Sequence, residues 1–209
     1  MYRKTGGVVA GGKELDVLQP FCADYRARFH VRQMAALLKM NHATAALALK
    51  KLESKNVLKS EQEGRNKKYF LNLDNPSAEQ YIKNMENART LVFLEDNFMF
   101  KKMAGELAPV FRETPIMLFG SYVKGNYNKE SDIDILIIKD RNGKIIKSLS
   151  GFGTRHGKAV QTQRMTQDSF EKGLRERDTL VLEIVKNHII LNNSDTIVNM
   201  LWRYYNEIR

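Results

Sequence analysis

The run Ser131-Asp132-Ile133-Asp134 sets two carboxylates one residue apart, at the head of the apolar stretch Ile135-Leu136-Ile137-Ile138. On an extended strand, residues i and i+2 share a face, so Asp132 and Asp134 are expected side by side. Two such anions repel, and burying them without compensation is costly. A divalent cation resolves that conflict, and magnesium takes carboxylate oxygens while bridging them to phosphates. Taken alone, Asp-x-Asp also fits a pair of solvated carboxylates at a strand end. The context upstream argues otherwise. Pro115-Ile116-Met117-Leu118-Phe119 is all apolar, suited to a strand buried on both faces, and runs straight into Gly120-Ser121-Tyr122-Val123-Lys124-Gly125. A strand-to-helix turn at that point offers backbone N–H groups to an anion. Glycine at 120 allows close approach to the backbone, the Ser121 hydroxyl adds a donor, and Gly125 permits a tight exit.

The whole constellation is Gly-Ser-x-x-x-Gly, then five residues, then Ser-Asp-x-Asp leading an apolar strand. Over residues 115–138 it resembles the nucleotidyltransferase superfamily related to DNA polymerase beta, in its minimal prokaryotic branch. The resemblance implies catalytic and metal-holding roles for Asp132 and Asp134, with Mg2+ or Mn2+ as the ion. It implies a nucleoside triphosphate, ATP foremost, bound at Gly120, Ser121, Lys124, Gly125 and Ser131. The implied reaction transfers a nucleoside monophosphate to an acceptor hydroxyl and releases pyrophosphate. In a two-metal arrangement one ion activates the hydroxyl and the other steadies the leaving group. Acceptors in the superfamily include RNA ends, small molecules and protein side chains, and the sequence does not choose among them.

One departure bears on turnover. The superfamily usually adds a third carboxylate from a following strand. Here that strand, Lys158–Met165, offers Gln161 and Gln163 on one face and no acid. An amide oxygen ligates a metal weakly and cannot act as a general base. Asp140 and Asp168 are the nearest substitutes, neither in the expected place. His156, in the glycine-flanked stretch 153–157, reads as a surface loop residue, and His188 as part of an apolar helix over Asp178–Leu191.

Stepping toward the N terminus, the apolar spacing predicts helices over Lys13–Asp24 (with Pro20 as a kink or break), over Val31–Lys39, and from Asn41 to Lys55. Asn41 is placed to cap the third helix, and Asn56 to leave it in the left-handed conformation. Val57-Leu58 and Lys68–Leu71 read as strands around the turn Glu63–Asn66. Residues 34–73 thereby resemble winged helix-turn-helix DNA-binding domains. In that family the third helix enters the major groove and the wing touches the backbone or minor groove. Carried over, Asn41, His42 and Thr44 would face base edges, and Arg65, Lys67 and Lys68 with Lys50 or Lys51 would meet phosphates. The reading helix is rich in alanine (Ala43, Ala45, Ala46, Ala48) and has no Arg or Gln for bidentate base contacts, which favours general nucleic-acid affinity, or a structural or dimerising wing, over strong sequence reading.

Charge agrees with that division. The net charge is +10, with 14 Lys and Arg against 7 Asp and Glu in residues 1–75, and 20 against 17 in residues 76–209. The basic excess thus concentrates where nucleic acid, DNA or RNA, would sit. The expected class is α/β (α+β): a loose tail over 1–12, a winged helix-turn-helix domain over 13–75, joining helices over 76–112 with a candidate homodimer surface, and a mixed-sheet nucleotidyltransferase domain over 113–209. Trp202 and Tyr205 read as core or dimer contacts, and Cys22 as a small core residue with no zinc cluster around it. No apolar run approaches a bilayer span and no signal peptide is evident, so a cytoplasmic protein without membrane contact is expected. The rival reading is a DNA-binding regulator whose transferase fold senses nucleotide without catalysis. A fused toxin–antitoxin component is a third.

Overall fold

The computed structural model describes residues 12–138 and 143–208. The tail expected over 1–12 lies outside them apart from Gly12, as does Asp140. The chain divides into two compact units, one of residues 12–89 with 198–208, the other of residues 90–197. Both contain helices and a sheet, an α+β composition. None of the helices among the described residues is long and apolar enough to cross a membrane.

The first unit begins with α1 (Gly12–Asp16) and a 3-10 turn over Gln19–Ala23. The single helix expected over Lys13–Asp24 is therefore broken. Pro20 has no N–H to donate and disfavours helical geometry at Gln19, so the chain tightens into a 3-10 turn instead. Next come β1 (Phe29–His30), α2 (Val31–Leu37) and α3 (His42–Ser54). Asn41 caps α3, its side chain accepting from the Thr44 N–H at 2.7 Å. Asn56 leaves it with φ 59°, and its carbonyl accepts from the Asn72 and Asn75 amides at 3.0 and 2.8 Å. β2 (Leu58–Glu63) and β3 (Asn66–Leu71) form a hairpin closed by Gly64-Arg65, with Glu63 opposite Asn66. Gly64 takes φ 58°, the positive value a two-residue hairpin turn demands. β1 adds to the far side of β3, giving an antiparallel sheet in the order β1-β3-β2. The core holds Leu18, Phe21, Met34, Leu49, Leu52 and Tyr69, with Tyr25 against Trp202 and Tyr205. Cys22 is fully buried, as a core thiol. Glu86 and Arg89 form a buried ion pair at 2.7 Å.

The unit boundaries fall inside two helices, α4 (Pro76–Asp96) and the last helix of the chain. The second unit continues with α5 (Phe98–Phe111), β4 (Ile116–Phe119), the one-turn α6 (Ser121–Lys124) and β5 (Ile133–Ile138). Then follow α7 (Lys144–Arg155), β6 (Val160–Met165), α8 (Gln167–Arg175), α9 (Thr179–Lys186), β7 (Ile189–Asn192) and α10 (Ser194–Glu207). The sheet order is β6-β5-β4-β7, with β5 parallel to β6 and antiparallel to β4. Along β5, Ile133, Ile135 and Ile137 share a face. They join Ile116 and Leu118 in a core with Phe100, Met103 and Phe111 of α5 and Leu149 and Phe152 of α7. Gly153 lets α7 lie close to the strand entry, since a Cβ there would come within 2.4 Å of the Lys158 carbonyl oxygen.

Two expectations fail in this unit. The helix expected over Asp178–Leu191 stops at Lys186, where Asn187 turns out with φ −136° and ψ 75°. Ile189–Asn192 instead becomes β7, antiparallel to β4. His188, between them, is fully buried with Nδ1 2.7 Å from the Val185 carbonyl oxygen. The stretch 153–157, expected as a loop, is helical as far as Arg155; His156 is the turn residue just after α7, its ring 4.3 Å from that of Phe152.

Candidate active site

Strand pairing builds the site. Phe119, the last residue of β4, is opposite Asp134 on β5, which brings the next residue, Gly120, beside the Asp134 side chain. A Cβ on Gly120 would lie 2.0 Å from Asp134 Oδ2 and 2.8 Å from its Cγ. Gly120 also has φ 75° and ψ −152°, a region open in practice only to glycine. Position 120 therefore needs glycine twice, for backbone conformation and for room. Asp134 alternates with the buried Ile133 and Ile135, and Asp132, just before the strand, falls on its side.

The two carboxylates feel one another. Burial raises the Asp134 carboxyl above its ordinary range, the Asp132 charge raises it further, and the Lys124 ammonium pulls it partly back. Across the parallel pair, Gln161 is in register with Asp134, and its side-chain amide donates to Asp132 Oδ2 at 3.3 Å. The residue where a third carboxylate would stand is thus an amide holding Asp132. Gln163 is one alternation further, opposite Leu136. Asp168 does not substitute: it is exposed in the first turn of α8, beyond the opposite end of β6.

The remaining expected ligands differ in availability. The Ser121 hydroxyl has no hydrogen-bond partner among the described residues, and the side chain is half-buried. Gly125 leaves α6 in the left-handed conformation, φ 71°. Ser131 is committed to its own turn, its hydroxyl accepting from the Asn128 N–H at 2.9 Å. Lys124 is paired with Glu183 of α9 at 2.5 Å. Glu183 and its neighbour Asn187, whose amide donates to it at 3.1 Å, were not singled out by sequence. Nothing local marks them, because α9 reaches α6 only through the fold.

Among the described residues, no group of three or more His, Cys, Asp or Glu is placed to hold a metal. Magnesium, however, is commonly held by one or two carboxylates with substrate phosphates completing the shell. Asp132 and Asp134 fit that donor set, being close enough that, after burial, the Asp132 charge is the next cause raising the Asp134 carboxyl.

In the first unit, the cations expected to meet phosphates are largely engaged. Lys51 pairs with Glu14, Lys67 with Glu53 at 3.2 Å, and Lys68 with Glu63. Lys50 and Arg65 are exposed and form no ion pair among the described residues. His42 is exposed and Thr44 half-buried, while Asn41 spends its side-chain oxygen on the cap.

Residues 100–196, just under half the chain, match the family model of the nucleotidyltransferase domain. The match lies within the second unit and includes Gly120, Asp132 and Asp134. That segment is similar to domains that use a nucleoside triphosphate and usually a divalent metal. No curated protein and no solved structure matches the chain.

Proposed function

We propose that the second unit is a magnesium-dependent nucleotidyltransferase acting on ATP or another nucleoside triphosphate. The observation that supports this reading is the juxtaposition of the Asp134 carboxylate with Gly120, an acid beside the turn proposed to take the phosphates. A bound Mg2+, or Mn2+ in its place, supplies charge neutralisation for the carboxylate pair and the phosphates. Asp132 and Asp134 hold it, and Gln161 orients Asp132 by its hydrogen bond. Gly120 admits the phosphates close to the backbone, Ser121 Oγ donates to a phosphate oxygen, and Lys124 provides a further cation. In the reaction, an acceptor oxygen bonds to the α-phosphorus, the bond from that phosphorus to pyrophosphate breaks, and the hydroxyl proton leaves. Catalysis of this kind rests on positioning and charge. Gln161 and Gln163 cannot take the proton, so acceptor activation draws on no third acid of this strand.

We further propose that the three helices and hairpin of the first unit act as a winged helix-turn-helix that contacts nucleic acid. Support comes from the basic excess of residues 1–75 and from the exposed Lys50, Arg65 and His42. With three of the expected cations in ion pairs, contact through few phosphates is expected, and hence a shallow salt dependence. The test of the enzymatic reading is incubation with Mg2+, each α-labelled nucleoside triphosphate, and cell RNA or lysate. Label passing to a macromolecule with wild type and not with Asp132→Asn/Asp134→Asn supports it. No transfer with any nucleotide overturns it.

A further inference from the structure

Lys124 is the one cation that the proposed nucleotide site takes from the anion-binding turn, and it is not idle. Its ammonium is 2.5 Å from Glu183 Oε1. The same Glu183 oxygen accepts from Asn187 Nδ2 at 3.1 Å, so the carboxylate is fixed from its own helix, one turn further on. Both members of the pair are about two-fifths exposed, 41% each, which leaves the ammonium reachable from solvent. Lys124 is meanwhile close enough to Asp134 for its charge to lower that carboxyl, so the ammonium feels both Asp134 and Glu183 of α9. Lys124 chiefly, then Asn187 and Lys186, hold the Glu183 carboxyl below its ordinary range, so Glu183 remains an anion at neutral pH.

Resting on the nucleotidyltransferase reading above, we propose that Glu183 is a further residue of the nucleotide site, setting its affinity through Lys124. In the nucleotide-free chain Glu183 holds the ammonium, and a triphosphate oxygen must take it over. An anion that binds there exchanges one ion pair for another, so the net gain from Lys124 is reduced by what Glu183 relinquishes. Its carboxylate then stays near the incoming phosphates and repels them. Both effects vanish when the carboxylate becomes an amide, whereas Asn187 still has an oxygen to bond.

The experiment measures ATP binding with Mg2+, and inorganic triphosphate binding in EDTA, for wild type, Glu183→Gln, Lys124→Gln and the double variant. Thermal unfolding of each variant checks the fold. Glu183→Gln is expected to bind both ligands at least threefold more tightly. In the Lys124→Gln background the same change is expected to have less than half that effect. Where turnover is measurable, KM falls and kcat is unchanged, and Glu183→Asp restores wild-type affinity. At about 1 M salt, where screening reaches ~3 Å, the advantage of Glu183→Gln shrinks. Equal or weaker binding by Glu183→Gln, or an undiminished gain without Lys124, overturns the proposal. Wild type that binds neither ligand overturns the nucleotide site itself, a result distinct from either of these.

Discussion

Replacing Gly120 with alanine adds one methyl group where the Asp134 carboxylate already sits. The new Cβ would lie 2.0 Å from Oδ2, 2.8 Å from Cγ and 3.1 Å from Cβ of Asp134, against about 3.5–4.0 Å for unstrained carbon contacts. The carboxylate can rotate away, but Asp134 Cβ is fixed to β5, so the strand itself must give by a few tenths of an ångström. Crowding of this kind costs ~1–3 kcal/mol. Holding a non-glycine residue at φ 75°, ψ −152° costs a further ~1–3 kcal/mol. The sum of ~2–6 kcal/mol, at about 4 °C per kcal/mol for a domain of this size, lowers Tm by roughly 8–24 °C. Thermal unfolding of Gly120→Ala in wild-type and Asp134→Ala backgrounds separates the two parts. Truncation of Asp134 removes the overlaps with Oδ2 and Cγ and leaves the 3.1 Å approach to Cβ, so most of the crowding share goes while the backbone share remains, giving a coupling of up to ~1–3 kcal/mol. A loss under about 1 kcal/mol, or an equal loss in both backgrounds, would refute this geometry.

Other consequences follow from single side chains. Because the folded-state Asp134 carboxyl is raised, chiefly by burial and then by Asp132, its stabilising contribution is complete below the unfolded-state pKa and is lost as pH rises through the folded value. Asp134→Asn should therefore raise the metal-free Tm at pH 7, with the difference closing near about pH 3; a lower Tm for the variant at pH 7 would contradict the sign. Gln161→Glu places a third carboxylate opposite Asp134, so Mn2+ should bind on the order of tenfold more tightly, with lower metal-free stability. Unchanged Mn2+ titrations would show that Gln161 does not border the metal. Glu86→Ala removes the carboxylate facing the buried Arg89 and should cost ~3–5 kcal/mol in urea unfolding, far more than a surface ion pair.

What the sequence made legible was what local geometry decides. Asp132 and Asp134 share a side because strands alternate, and Gly120 meets Asp134 because a short apolar strand ends just before it. The Asn41 cap, the Asn56 exit and the Gly64-Arg65 hairpin are likewise decided within a few residues. Partnerships between distant segments were not legible. Ile189–Leu191 continues the apolar character of α9, and only an open edge on β4 makes it a strand. Lys51 and Lys67 looked available to phosphate, yet Glu14 and Glu53 approach them from other elements. Glu183 could not be connected to Lys124 from spacing, since 59 residues separate them. Gln161 was visible as a departure in type, but its hydrogen bond to Asp132 depends on strand register.

Equilibrium titration of wild type with ATP, with and without Mg2+, alongside Asp132→Asn/Asp134→Asn, tests the proposed metal and nucleotide site most directly. The account predicts that Mg2+ strengthens ATP binding to wild type at least tenfold and that the double variant loses this enhancement while remaining folded. Metal-independent binding by wild type, or an enhancement that survives loss of both carboxylates, would contradict it.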